Sequence, residues 1–111
     1  MKKAALFFAL AFAVLAPVAA NEQRLVGSWT DLHDDMVIVF NADGTVSGRI
    51  FFRGANGLDF APTRWAAAGD RLVVFTPNVN RAVRSFRISG DGRTLIIEHA
   101  SREWASAWRR N

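Results

Sequence analysis

The sequence predicts an all-β protein, an eight-stranded antiparallel up-and-down barrel that follows a cleaved leader. Three observations carry the prediction. Short apolar runs of β-branched and aromatic residues recur at intervals of about 8 to 12 residues. Clusters of Gly, Asp, Asn and Pro punctuate them. The chain is of one-domain length, 111 residues, and contains no cysteine.

Met1-Lys2-Lys3 is a basic start, Ala4 to Ala16 is continuously apolar, and Val18-Ala19-Ala20 supplies small residues ahead of Asn21. That order is the pattern of a secretory signal peptide over residues 1–20, and the protein is expected to be periplasmic or secreted. The apolar run ends at Pro17, short of the roughly 20 residues a permanent span requires. Residues 21–111 then form one domain. Its core must come from Trp, Phe, Ile, Val and Leu, since no disulfide or cysteine-based zinc site is available.

The formal charge of +4 includes Lys2 and Lys3, so residues 21–111 carry about +2, and all of their cations are arginines. Acids dominate as far as Asp59 and arginines dominate beyond it. Antiparallel neighbours of opposite sign account for such a split, as does an anionic partner. Nucleic acid is not expected as a partner, because the excess charge is small and the leader directs the chain out of the cell.

The strands are read as Arg24 to Thr30, Met36 to Asn41, Thr45 to Arg53, Thr63 to Ala67, Arg71 to Thr76, Arg81 to Ser89, Thr94 to His99 and Glu103 to Arg109. Asn41-Ala42-Asp43-Gly44, Ala68-Gly69-Asp70 and Gly90-Asp91-Gly92 provide the positive-φ residues that tight hairpins need. The stretch Gly54 to Pro62 is too rich in Gly and Pro to read as a strand, and is a lid or a crossing. Residues Ser101 to Trp108 also suit a helical turn or two, so strand and helix both stand open there.

Alternation assigns the faces. Leu25, Gly27 and Trp29 share one side of the first strand, Met36, Ile38 and Phe40 one side of the second, and Val46, Gly48, Ile50 and Phe52 one side of the third. A flat sheet would leave two edges and half its apolar surface in water, and closure into a barrel removes both problems.

Gly27-Ser28-Trp29 near the start of the first strand, with Arg109 and Arg110 at the end of the last, resembles the Gly-x-Trp and terminal-arginine signature of the calycin group. That group includes lipocalins, fatty-acid-binding proteins and avidins. The resemblance implies that Trp29 plugs one end of the barrel, that Gly27 makes room, and that Arg109 lies over the indole by cation-π contact while bonding nearby carbonyls. Leu25 to Trp29, Phe40 to Thr45 and Trp65 to Leu72 also look like the repeated pattern of small bacterial lipocalin-like domains, most of unassigned function. A narrower likeness to avidins spans Leu25 through Gly48. The amide and hydroxyl groups that hold biotin in avidins have no counterparts here, where Asp31, Asp34, Ile50 and Phe52 stand and tyrosine is missing from the chain.

Five residues are the candidates for ligand binding: Trp65, Arg84, Phe86, His99 and Trp104. Arg84 falls on the face of Ala82, Phe86 and Ile88, so an inward face buries a guanidinium suited to a carboxylate or phosphate. Internal pairing, for instance with Glu98, is the plainer alternative. His99 and Trp104 belong to a potential aromatic wall, and Trp65 to the mouth or to the packing beneath the long loop. His33-Asp34-Asp35 offers metal-competent groups without a third, distant ligand, so no metal is expected. No cofactor is expected, and no nucleophile-base or paired-carboxylate frame marks an enzyme.

The sequence thus points to an exported binding protein that holds a small apolar or amphipathic molecule in a short barrel. The alternative is an envelope protein-interaction module with a filled barrel, comparable to the lipocalin-like protease inhibitors. Here only Asn21, Glu22 and Gln23 precede the first strand, and the disulfide of those inhibitors is missing.

Overall fold

The computed structural model describes residues 20–78, 80–99 and 105–111. The predicted leader, up to residue 19, and Trp104 lie outside the described residues. A helical turn, α1 (Ala20–Gln23), leads into ten strands. They are β1 (Gly27–Asp31), β2 (Val37–Phe40), β3 (Val46–Arg49), β4 (Phe52–Arg53), β5 (Asp59–Phe60), β6 (Arg64–Ala68), β7 (Arg71–Thr76), β8 (Asn80–Ile88), β9 (Thr94–His99) and β10 (Ala105–Arg110).

Eight of them form one antiparallel sheet in the order β3-β2-β1-β10-β9-β8-β7-β6. First and last strands are therefore neighbours, with Trp29 opposite Arg110 and Asp31 opposite Trp108. The sheet curls until its edges meet. Thr45 bridges Arg64, the Val46 amide donates to Thr63 O at 2.8 Å, and the Trp65 amide donates to Gly44 O at 2.9 Å. The result is a nearly closed eight-stranded barrel, compatible with a calycin-like fold.

The third predicted strand is interrupted: Thr45 to Arg53 divides into β3 and β4 on either side of Ile50 and Phe51. The long loop, read as strand-free, contains β5, which pairs with β4 through Phe52–Phe60 and Arg53–Asp59. The reason is burial. Phe52 and Phe60 are cross-strand partners and both are buried in the core, which more than offsets the poor strand propensity of the flanking glycines. Gly57, at φ 84°, turns the tip, where the Gly54 amide donates to Leu58 O at 2.8 Å. From residue 105 onward the last segment is strand, paired with β9.

One contiguous core fills the barrel, built from the inward faces of the strands: Trp29 on β1, Ile38 and Phe40 on β2, Val46 on β3, Leu72 and Val74 on β7, Phe86 on β8, Leu95 and Ile97 on β9, Trp108 on β10. Gly48 is needed on β3. At φ 110° it bends the strand, and a Cβ there would stand 2.3 Å from Val37 O.

Candidate functional site

The two ends of the barrel differ in chemistry. At the lower end, Leu25 and Trp29 are fully buried, and the Trp29 indole donates to Leu25 O at 2.9 Å. Arg110 lies over the Trp29 ring with its guanidinium carbon 4.2 Å from the centroid. Its donors reach Gly92 O at 2.9 Å, Val26 O at 2.9 Å and Arg24 O. Gly27 leaves the space for this crossing, since a Cβ there would meet Arg110 Nη1 at 2.8 Å. Arg109, one residue earlier, points outward and is exposed, so the stacked arginine is Arg110, as the two-residue period of a strand requires. This end is closed by side chains.

The upper end is open. A concavity of about 950 Å³ lies there, lined by Ile50, Phe52, Ile97, Trp108, Asp31 and Arg84 among others. The β4–β5 hairpin folds over it. Arg84 is 4% exposed and clasps the hairpin, with Nη2 donating to Arg53 O at 3.3 Å and the guanidinium carbon 5.7 Å from the Phe52 centroid. Its Nη1 donates to Val83 O at 3.0 Å. Burial makes the guanidinium a weaker base than usual, because desolvation disfavours the charged form. Glu98 stands opposite Ser85 on the outward side and so does not share the face of Arg84.

The other charges at the mouth have local uses. Asp31 is buried and its Oδ1 accepts the amides of His33 at 2.6 Å and Asp34 at 3.2 Å, which ties down the β1–β2 turn. Arg53 and Asp59 pair at 2.8 Å on the exposed face of the hairpin. Among the described residues, no three of His, Asp or Glu converge as metal ligands. The Ser106 hydroxyl accepts the Trp108 indole N–H at 2.8 Å. Arg84 is the buried cation of the concavity, and Phe52 and the carbonyls of Arg53 and Val83 lie against it.

Of the five candidates read from the sequence, Arg84 lines the concavity. Trp65 does not: its ring meets Phe40 edge-on at 5.2 Å, and its indole donates to Asn41 O at 2.9 Å, so it seals the seam beneath the β2–β3 turn. Phe86 is core. His99 sits opposite Arg84 in the β8–β9 register, and its side chain, like all of Trp104, lies outside the described residues. Asp31, Phe52, Ile97 and Trp108 are among the other lining residues and were not among the candidates. Alternation was the available signal for Asp31, which shares the face of Trp29, and for Ile97, which shares that of His99.

No family model, no curated protein and no solved structure matches this chain.

Proposed function

We propose that the chain is an exported binding protein, periplasmic or secreted, whose lipocalin-like barrel holds a small amphipathic molecule at its upper end. The acidic group of the ligand lies at Arg84, and its apolar part against Ile50, Phe52, Ile97 and Trp108. One observation carries this reading: a buried guanidinium lines a concavity of about 950 Å³ in which Ile50, Phe52, Ile97 and Trp108 are grouped with polar side chains. Apolar and aromatic side chains beside a few placed polar groups are the usual composition of a small-molecule site, and the volume lies within the usual range. The site holds and orients a ligand and performs no reaction on it.

The test is titration of tryptophan emission with dodecanoate and dodecyl phosphate, with native mass spectrometry for stoichiometry. One-to-one binding is expected, weakened roughly tenfold or more in Arg84→Gln, as loss of a charge-assisted hydrogen bond implies. Arg84→Lys is expected to retain part of the affinity. Equal binding by wild type and both variants, or no binding at all, contradicts the reading.

A second reading has its own support. Leu32, Phe51 and Leu58 are 55%, 63% and 65% exposed, and Leu32 and Phe51 border the mouth. Large apolar side chains held in water around one opening suit an envelope protein-interaction module. Crosslinking in the envelope followed by affinity purification distinguishes the two, since a carrier returns with a small molecule and an interaction module with a protein.

A further inference from the structure

The outer wall of β6, β7 and β8 has a chemistry of its own. The register sets Arg64 opposite Phe75 and Phe75 opposite Arg81 in one row, and Ala66, Val73 and Val83 in the next. Ala68, Arg71 and Ser85 form a third row, and Arg87 follows on β8. With neighbouring strands about 4.8 Å apart, these side chains make one continuous surface. Its outward positions hold four arginines, all exposed, and Glu98 on β9, opposite Ser85, borders it. Asp43 lies close enough to Arg64 for the charge to help lower its pKa. The Arg53–Asp59 ion pair lies on the neighbouring β4–β5 hairpin.

Between the arginines lies an apolar strip. Val83 is 36% exposed, and Val73 and Phe75 are half-buried. A recess of about 510 Å³ opens on the same wall, with Val73 and Phe75 at its base and Arg81, Asn56, Asn78 and Asn80 among its lining. A ring of guanidinium groups around an apolar strip is complementary to a surface that presents phosphates above hydrocarbon. Guanidinium bonds phosphate oxygens in bidentate fashion, the amides suit headgroup hydroxyls, and the valine strip has no use for a purely polar polyanion.

We propose that the β6–β8 wall docks the protein on anionic phospholipid, peripherally and reversibly, through Arg64, Arg71, Arg81 and Arg87. This surface is separate from the mouth and independent of the ligand assigned to it. An adsorbed arginine near an anionic leaflet changes partition roughly fivefold.

The test is cosedimentation of the protein, purified from the cells that make it and with its N-terminus defined by mass spectrometry, with vesicles of phosphatidylcholine alone or mixed with phosphatidylglycerol. Binding is expected to the mixed vesicles only, and to fall steeply as salt is raised. Arg71→Gln with Arg81→Gln should weaken it on the order of 20-fold. Arg49→Gln with Arg93→Gln, which removes the same charge elsewhere, should not. Equal binding to both vesicles, equal loss in the two double variants, or no vesicle binding overturns the proposal. So does equally tight binding to soluble polyphosphate, which would assign the wall to a polymer. Unchanged thermal unfolding of the double variants keeps the comparison valid.

Discussion

Arg110 joins three segments distant in sequence, because its guanidinium reaches the carbonyls that precede β1 and the one at Gly92 while covering the Trp29 ring. A single side chain thereby holds the N-terminal plug, the first strand and the β8–β9 turn to the end of the chain. Arg110→Gln is expected to lower stability by about 2–4 kcal/mol, from lost charge-assisted hydrogen bonds and the cation-π contact, as read by urea denaturation. Arg110→Lys should recover only part, since a point charge cannot serve three carbonyls at once. Gly-x-Trp and a basic terminus were visible in the sequence. Which of the two arginines turned inward was settled by pairing register, a property that single-strand alternation leaves uncertain by one residue at a chain end. Two aspartates act at the same scale. Asp43 and Asp91 are both held below the ordinary value of 3.8, first of all by the hydroxyls of Thr45 and Ser89 respectively. A depressed carboxyl contributes stability that is present above its unfolded value and lost as pH falls through its folded value. Thermal stability should therefore hold level above about pH 5 and fall below about pH 4, and Asp43→Asn with Asp91→Asn should flatten that fall.

Among the elements, the two aspartate turns were legible because each pairs a side-chain acceptor with a glycine at positive φ, Gly44 at 89° and Gly92 at 76°. Both close a hairpin by the same device, with amides of Gly44 and Gly92 donating back to Asn41 O and Ser89 O. The β4–β5 hairpin was not legible. Its strands are two residues each, its composition is that of a loop, and what creates it is the burial of Phe52 against Phe60 beneath the barrel mouth. No local pattern announces a contact of that kind. Because so few pairs hold it, the hairpin should open as a unit while the barrel stays folded. Phe60→Ala is expected to cost about 3 kcal/mol and to speed amide exchange at Gly54 and Leu58 well beyond that on β7 and β8. Hydrogen exchange that changes equally throughout would mean that the hairpin is part of the global unit.

At the scale of the whole molecule, the barrel was legible from turns, alternation and the need to remove sheet edges, whereas the place of its seam was not. The expectation tied first strand to last, and that pairing is present, but the sheet's free edges are β3 and β6, joined through Thr45, Val46 and Trp65. The cause is the bend at Gly48 together with the crossing at Pro62, which carry the chain off the ladder and over the mouth. The site was half legible for a related reason. Arg84 could be read from the face it shares with Phe86, but Phe52 reaches it only through the folded-over hairpin, and Asp31 and Trp108 meet only because β1 and β10 pair. A polar clasp beneath the β4–β5 hairpin, at the end opposite the Trp29–Arg110 plug, is where the proposed ligand would enter.

The most direct test of that claim is a nitrogen-15 correlation spectrum recorded during titration with dodecanoate. Shifts confined to Arg84, Phe52, Ile97 and the Trp108 indole, with the Trp29 indole unmoved, are the predicted result. Shifts confined to the β6–β8 wall, or a spectrum that does not change, would contradict it.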